Sequence, residues 1–244
     1  MKPVHDAPQS RFDLVDTFPQ QGCAICAITH KRLVHYFESL NYDSVGDPGV
    51  RQHFMESGGY CNVHAWQWLD IAFVLGTASL YKELLQDIRQ QIESLTWQPN
   101  PVIDRVGSFL TGRRTERHLF LRENERCPAC TWQRETEDML ANTVVDNLRE
   151  PDFRTALEHS SGFCLPHFQQ VINRVKTRAD FDLLRDQMLQ QETLLLDQLA
   201  EIIRKHDYRY QNEPPGPEVG AATRAVAHDR GFQGRAPDSR RAAD

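Results

Sequence analysis

The chain has 244 residues, with 28 basic and 34 acidic side chains and a formal net charge of −6. That length can build one large domain or two small ones, and the acidic balance argues against a general binder of nucleic acid or anionic membrane. The start of the chain is polar, and its longest apolar run, Ile71 to Leu80, is too short to span a bilayer. The expectation is therefore a cytoplasmic protein without membrane contact, where regular cysteine spacing points to metal or thiol chemistry rather than structural disulfides.

Residues 1–20 read as a loosely held arm whose Phe12, Leu14, Val15 and Phe18 can pack onto a core. From Cys26 to about Val45 the pattern is helical, with Leu33, Val34, Phe37 and Leu40 on one face. Asp47-Pro48 then suits an N-cap and first turn, and Gly58-Gly59 ends that short helix. From about Cys61 to Leu95 a three-or-four spacing predicts one long helix, or two broken near Gly76, before Pro99 and Pro101. Trp66, Trp68 and Phe73 in this stretch read as core residues rather than a pocket lining.

Residues 102–126 form a connector rich in arginine (Arg105, Arg113, Arg114, Arg117, Arg122, Arg126). A helix follows Cys130, Pro151 opens a short one, Ser161-Gly162 closes it, and Cys164 starts another. A longer helix is expected from about Ala179 to His206. From Gln211 onward the composition predicts a disordered tail. No stretch alternates as a strand does, so the fold class is all-α.

One pattern occurs twice. Cys23-Ala-Ile-Cys26 is followed after 34 residues by Cys61-Asn-Val-His64; Cys127-Pro-Ala-Cys130 is followed after 33 residues by Cys164-Leu-Pro-His167. Together they use all six cysteines. The match extends to Asp47-Pro48-Gly49-Val50-Arg51 against Glu150-Pro151-Asp152-Phe153-Arg154, and to Gly59-Tyr60-Cys61 against Gly162-Phe163-Cys164. The chain thus divides into the arm, a first metal-binding helical repeat over 21–101, the basic connector, a second repeat over 127–210, and the tail over 211–244.

Two ligands three apart can reach one ion from a single helical turn, and a second such pair completes a tetrahedron. Helix N-termini favour the thiolate form that a metal requires. Read copy by copy, Cys23, Cys26, Cys61 and His64 form one Cys3His site; Cys127, Cys130, Cys164 and His167 form the other. Tyr60 and Phe163 are expected to cover the sulfurs. Three thiolates and one imidazole around zinc leave no open position, which describes a structural site. The favoured cofactor is zinc, two per chain. An iron–sulfur cluster is the alternative metal, with histidine counting against it.

The sequence resembles a bacterial family known as domain of unknown function 6062 in its CxxC motifs, its D-P-x-x-R segment (Asp47 to Arg51) and its Gly-aromatic-Cys-x-x-His segments (Gly59 to His64, Gly162 to His167). The resemblance covers about residues 20–206 and implies no activity. No common enzyme signature is present, and no catalytic residue is assigned. The expected role is a zinc-stabilised binding or interaction module that takes another macromolecule, a protein among the candidates, or a small ligand. The alternatives are a thiol-based redox or metal sensor using the CxxC pairs, and an enzyme with a site between the two repeats.

Overall fold

A computed structural model describes residues 7–44, 46–94, 127–210 and 212–231. Among the described residues the protein is all-helical. The order is α1 (Ala7–Thr17), α2 (Ala24–Ser39) with a π-helical turn Leu40–Ser44, α3 (Pro48–Ser57), α4 (Asn62–Ile71), α5 (Val74–Glu93), α6 (Pro128–Asn147), α7 (Pro151–Glu158), α8 (Leu165–Ile172), α9 (Arg178–Lys205) and α10 (Ala221–Arg230). The basic connector, Pro99 and Pro101 lie outside the described residues. No helix among those described is long and apolar enough to cross a membrane.

The helix ends follow the local chemistry. Asp47 caps α3, its Oδ1 accepting from Val50 N–H at 3.0 Å, and Pro48 takes the first helical position. Gly58, at φ 74°, closes the same helix in the left-handed conformation. Thr177 caps α9, accepting from Asp180 N–H at 3.2 Å, while Arg204 and Lys205 occupy its last turn, where cations complement the helix dipole. The long pattern after Cys61 divides at Ala72–Phe73, ahead of Gly76. Both of those residues are extended, and Asn41 Oδ1 accepts from Phe73 N–H at 3.1 Å. Gly76 is instead buried in the first turn of α5.

The described residues fall into two compact units that do not follow the two motif copies. Those between His35 and Thr131 form one; those up to Val34 and from Trp132 onward form the other. In the first, Phe37, Phe54, Trp68, Leu80 and Leu84 are buried. Phe37 meets Tyr60 and Trp68 edge-on at 5.4 and 5.8 Å, and Trp68 Nε1–H donates to Thr77 Oγ1 at 3.1 Å. Tyr60 therefore packs among rings. Trp66 and Phe73 are exposed rather than core, so of the three aromatic residues expected inside only Trp68 is buried.

The second unit holds a continuous apolar cluster. Leu14, Phe18, Ile25 and Ile28 from the N-terminal helices pack with Leu140, Val144, Phe153, Leu157, Phe163, Val171 and Leu184. Phe18 lies edge-on to Phe153 at 5.3 Å and to Phe163 at 6.4 Å. Each fully buried side chain of this size contributes about 1.5–3 kcal/mol. The arm is therefore helix α1 seated in a core through Leu14 and Phe18, while Phe12 is exposed.

The tail departs from expectation as well. Its low apolar content predicts disorder, but residues 221–230 form α10, which packs on α8 and α9. Ala221 is fully buried, and polar contacts add to the attachment of the segment. Arg224 donates to Gln198 Oε1 at 2.7 Å, and Lys205 pairs with Glu218 at 2.7 Å.

Candidate metal centres

Each CxxH begins in the same way. Cys61 and Cys164 are extended N-cap residues (φ −65°, ψ 168° and φ −69°, ψ 158°), and their carbonyls accept from Ala65 and Phe168 N–H at 2.8 Å. His64 and His167 follow three residues later on the first turn, which brings Nδ1 to 3.3 and 3.2 Å from the sulfur of the same motif. Gly59 (φ 88°) and Gly162 (φ 74°) supply the left-handed bend just ahead. Ser160 braces the second bend: its Oγ accepts from Gly162 N–H at 3.0 Å and from the buried Gln187 Nε2 at 3.1 Å. The CxxC pairs flank the first turns of α2 and α6. Cys23 and Cys127 carbonyls accept from Ala27 and Thr131 N–H, both at 3.1 Å.

The structure gathers the eight candidate residues into two groups of four: Cys23, Cys26, Cys164 and His167, and Cys61, His64, Cys127 and Cys130. Within each group the ligand atoms lie within 4.8 Å of one another. The membership corrects the copy-by-copy reading. Each CxxC meets the CxxH of the other copy, and each group lies inside one compact unit.

The physical reason is a balance of two terms. Within a copy, 34 residues separate Cys26 from Cys61, whereas 137 separate Cys26 from Cys164. Closing the longer loop costs only about 1 kcal/mol more, because closure entropy grows with the logarithm of length. Burying Phe18, Ile25 and Ile28 against Phe153, Phe163 and Val171 outweighs that several-fold.

In the first group Cys26 Sγ lies 3.6 Å from Cys164 Sγ and 3.3 Å from His167 Nδ1, with Cys23 Sγ at 3.4 Å from the same nitrogen. In the second, Cys61 Sγ lies 3.6 Å from Cys130 Sγ, and His64 Nδ1 is 3.2 Å from Cys130 Sγ and 3.7 Å from Cys127 Sγ. No disulfide joins any of the six cysteines. Both groups could hold a metal ion through three sulfurs and one imidazole Nδ1.

Electrostatics in both groups reflect crowded negative charge. A hydrogen bond from Cys130 lowers the pKa of the Cys127 thiol against the cost of burial, with His64 adding to it, while the same contact pushes Cys130 up. Burial opposes charge on His167, but hydrogen bonds to Cys164, Cys23, Cys26 and Glu137 raise its pKa well above the ordinary value. A cation at the centre would satisfy several thiolates at once.

Glu137 is a residue that motif spacing did not reveal. Its Oε1 lies 3.5 Å from His167 Nε2, the nitrogen turned away from the sulfurs, and Gln133 Nε2 donates to it at 2.7 Å. Burial raises the Glu137 carboxyl, but the bond to His167 and its neighbours leave it below the usual value. A carboxylate behind a histidine fixes the tautomer that leaves Nδ1 available as a ligand. The available signal was position, since Glu137 sits two turns after Cys130 on α6. Tyr60 and Phe163, expected to cover the sulfurs, pack within the aromatic clusters described above.

The family model described as "Family of unknown function (DUF6062)" matches residues 10–234. A curated protein of Caldicellulosiruptor sp. (strain Rt8B.4), named "Uncharacterized 23.9 kDa protein in xynA 3'region", is 22% identical over 199 residues, covering 80% of this chain and 88% of its own. No solved structure matches.

Proposed function

The chain belongs to the family of unknown function DUF6062, and we propose that it is a helical interaction module held in shape by two structural zinc centres. The ligands would be Cys23, Cys26, Cys164 and His167 in one, and Cys61, His64, Cys127 and Cys130 in the other. One observation carries this reading. Zinc–sulfur and zinc–nitrogen bonds of about 2.3 and 2.0–2.1 Å in a tetrahedron place sulfurs roughly 3.8 Å apart and sulfur from nitrogen roughly 3.6 Å apart. Here Cys26 lies 3.6 Å from Cys164 and Cys61 3.6 Å from Cys130, the sulfur–nitrogen separations run from 3.2 to 3.7 Å, and all four ligand atoms of each group lie within 4.8 Å of one another. Such a donor set fills all four positions of the ion, so its chemistry is architectural.

The reading includes a duplication of one helical plan, and matched local geometry supports it. α3 and α7 both start with proline after an extended residue, Asp47 (φ −74°, ψ 123°) and Glu150 (φ −76°, ψ 122°). Ser57 and Ser160 donate to the carbonyls of Phe54 and Leu157 at 2.8 and 2.7 Å. On this reading each zinc ties one copy to the other.

An interaction role draws support from the apolar surface of α4 and the start of α5. Trp66, Leu69, Phe73, Val74 and Leu75 are all at least half exposed, and clustered exposed apolar groups mark binding surfaces more often than scattered ones do. Metal analysis of full-length protein purified without air tests the zinc assignment. Two zinc ions per chain in a colourless sample are expected; the visible absorption of an iron–sulfur cluster would overturn it.

The partial exposure of Cys23, Cys26, Cys61 and Cys130 favours a second reading, a thiol redox sensor. It requires that dilute hydrogen peroxide release zinc rapidly and that a dithiol with added zinc restore the site. Release only on denaturation would exclude it.

A further inference from the structure

The C-terminal helix ends on a metal-ligand group. Gly231, at φ 76° and ψ 176°, closes α10 with its N–H donating to Ala227 O at 2.9 Å. A Cβ added to Gly231 would stand 3.2 Å from Cys26 Sγ and 3.4 Å from Cys164 Sγ. The backbone of Gly231 therefore lies against two sulfurs of the Cys23, Cys26, Cys164 and His167 group. Both its backbone angles and that contact exclude a side chain.

α10 also packs on α8, the helix that carries His167. Its side-chain attachments include several polar ones. Beyond buried Ala221, they include Arg224 donating to Gln198 Oε1 and to the Pro217 and Val219 carbonyls, Lys205 pairing with Glu218, and His228 lying 3.4 Å from Glu192. A ten-residue helix is marginal in water by itself, so its conformation depends on this docking. The family match runs to residue 234 and so includes it.

We propose that residues 212–231 form a built-in cover over the Cys26 and Cys164 side of this one centre, and that undocking of α10 speeds exchange of its metal. The inference rests on the zinc reading above. A chelator reaches a four-coordinate ion only by displacing a ligand from an open side, and Gly231 occupies the side of Cys26 and Cys164. Undocking of α10 is a local opening, with a free energy below that of global unfolding. Exchange at this centre then depends on α10, and anything that binds or displaces α10 changes its rate. The other centre supplies an internal control.

The test uses full-length zinc-loaded protein challenged with excess EDTA and N-ethylmaleimide, with each cysteine followed by peptide mass mapping. Two variants accompany it, Gly231→Val and a chain ending at residue 210. In both, Cys26 and Cys164 should become labelled at least about tenfold faster than in the wild type, while Cys61 and Cys130 keep their wild-type rate. Unchanged labelling of Cys26 and Cys164, or equal acceleration at both centres, would overturn the cover. If the shortened chain does not fold, Gly231→Val decides. A wild-type chain that takes up no zinc refutes the metal reading instead, so the two failures are distinct.

Discussion

His167 Nδ1 lies 3.3 Å from Cys26 Sγ, a residue 141 positions earlier in the chain and part of the other motif copy. The same crossing places His64 Nδ1 3.2 Å from Cys130 Sγ. Local chemistry makes the half-sites, and packing chooses their partners.

Metal counting on paired variants tests that choice. Cys26→Ser with Cys164→Ser should cost one zinc ion, because both residues belong to one centre. Cys26→Ser with Cys61→Ser should cost both. Pairing within each copy predicts the reverse stoichiometries, which mass spectrometry under non-denaturing conditions distinguishes directly.

On the zinc reading, removing the ions should loosen the helices that carry the two groups. Apparent binding free energies of structural zinc are about 10–16 kcal/mol in small metallo-domains at neutral pH, and that binding is coupled to folding. Chelation is expected to lower the midpoint of thermal unfolding, with recovery on adding zinc in the presence of reductant. A midpoint unaffected by complete zinc removal would rule out a structural role.

Glu137→Gln should weaken zinc only at the His167 centre. Loss of a carboxylate behind a ligating histidine typically costs about 10–100-fold in metal affinity. Competition with a chromogenic chelator should reveal one weakened ion and one unchanged, while helix content stays that of the wild type.

Two glycines give a contrast in stability. Gly59 combines φ 88° with a position where an added Cβ would lie 2.8 Å from Leu84 Cδ2. Gly59→Ala should therefore destabilise by about 1–3 kcal/mol. Gly46 has no atom within 4 Å of such a Cβ, so Gly46→Ala should stay within about 0.5 kcal/mol of the wild type. Urea unfolding of both variants measures the difference.

Alkaline titration should report on the tyrosines of the His35–Thr131 unit. Burial, with the nearby Cys127 charge adding to it, pushes Tyr36 up to about 12, and burial likewise raises Tyr60 and Tyr81. The unfolded chain ionises these groups near the ordinary value of about 10, so above that pH it binds fewer protons than the folded state. Stability is then intact below about pH 10 and falls as pH rises toward 12, by about 2–3 kcal/mol for Tyr36. Ultraviolet titration should show late-ionising tyrosines that become ordinary in denaturant.

Much of the local structure was legible in advance. Asp47-Pro48, Gly58-Gly59 and Cys164-Leu-Pro mark helix boundaries because capping, left-handed backbone and missing N–H groups act within a few residues. The tail was misread because apolar periodicity is a poor guide to a helix held by Arg224, Lys205 and Glu218. Trp66, Leu69 and Phe73 keep helical spacing, yet that stripe is exposed and Trp68 is the buried ring, because which face is covered depends on tertiary packing.

The sequence by itself determined the eight candidate ligand residues, the helix starts that present them in pairs, and the all-helical class. Each of these depends on neighbours within a turn or two. Only the tertiary structure decided which pair meets which, that Glu137 stands behind His167, and that Gly231 rests on Cys26 and Cys164. The two CxxC pairs are locally equivalent, as are the two CxxH pairs, and chain separation costs only about 1 kcal/mol between the two pairings. The choice therefore passes to side chains such as Phe18, Phe153 and Phe163, whose burial is a property of the assembled core.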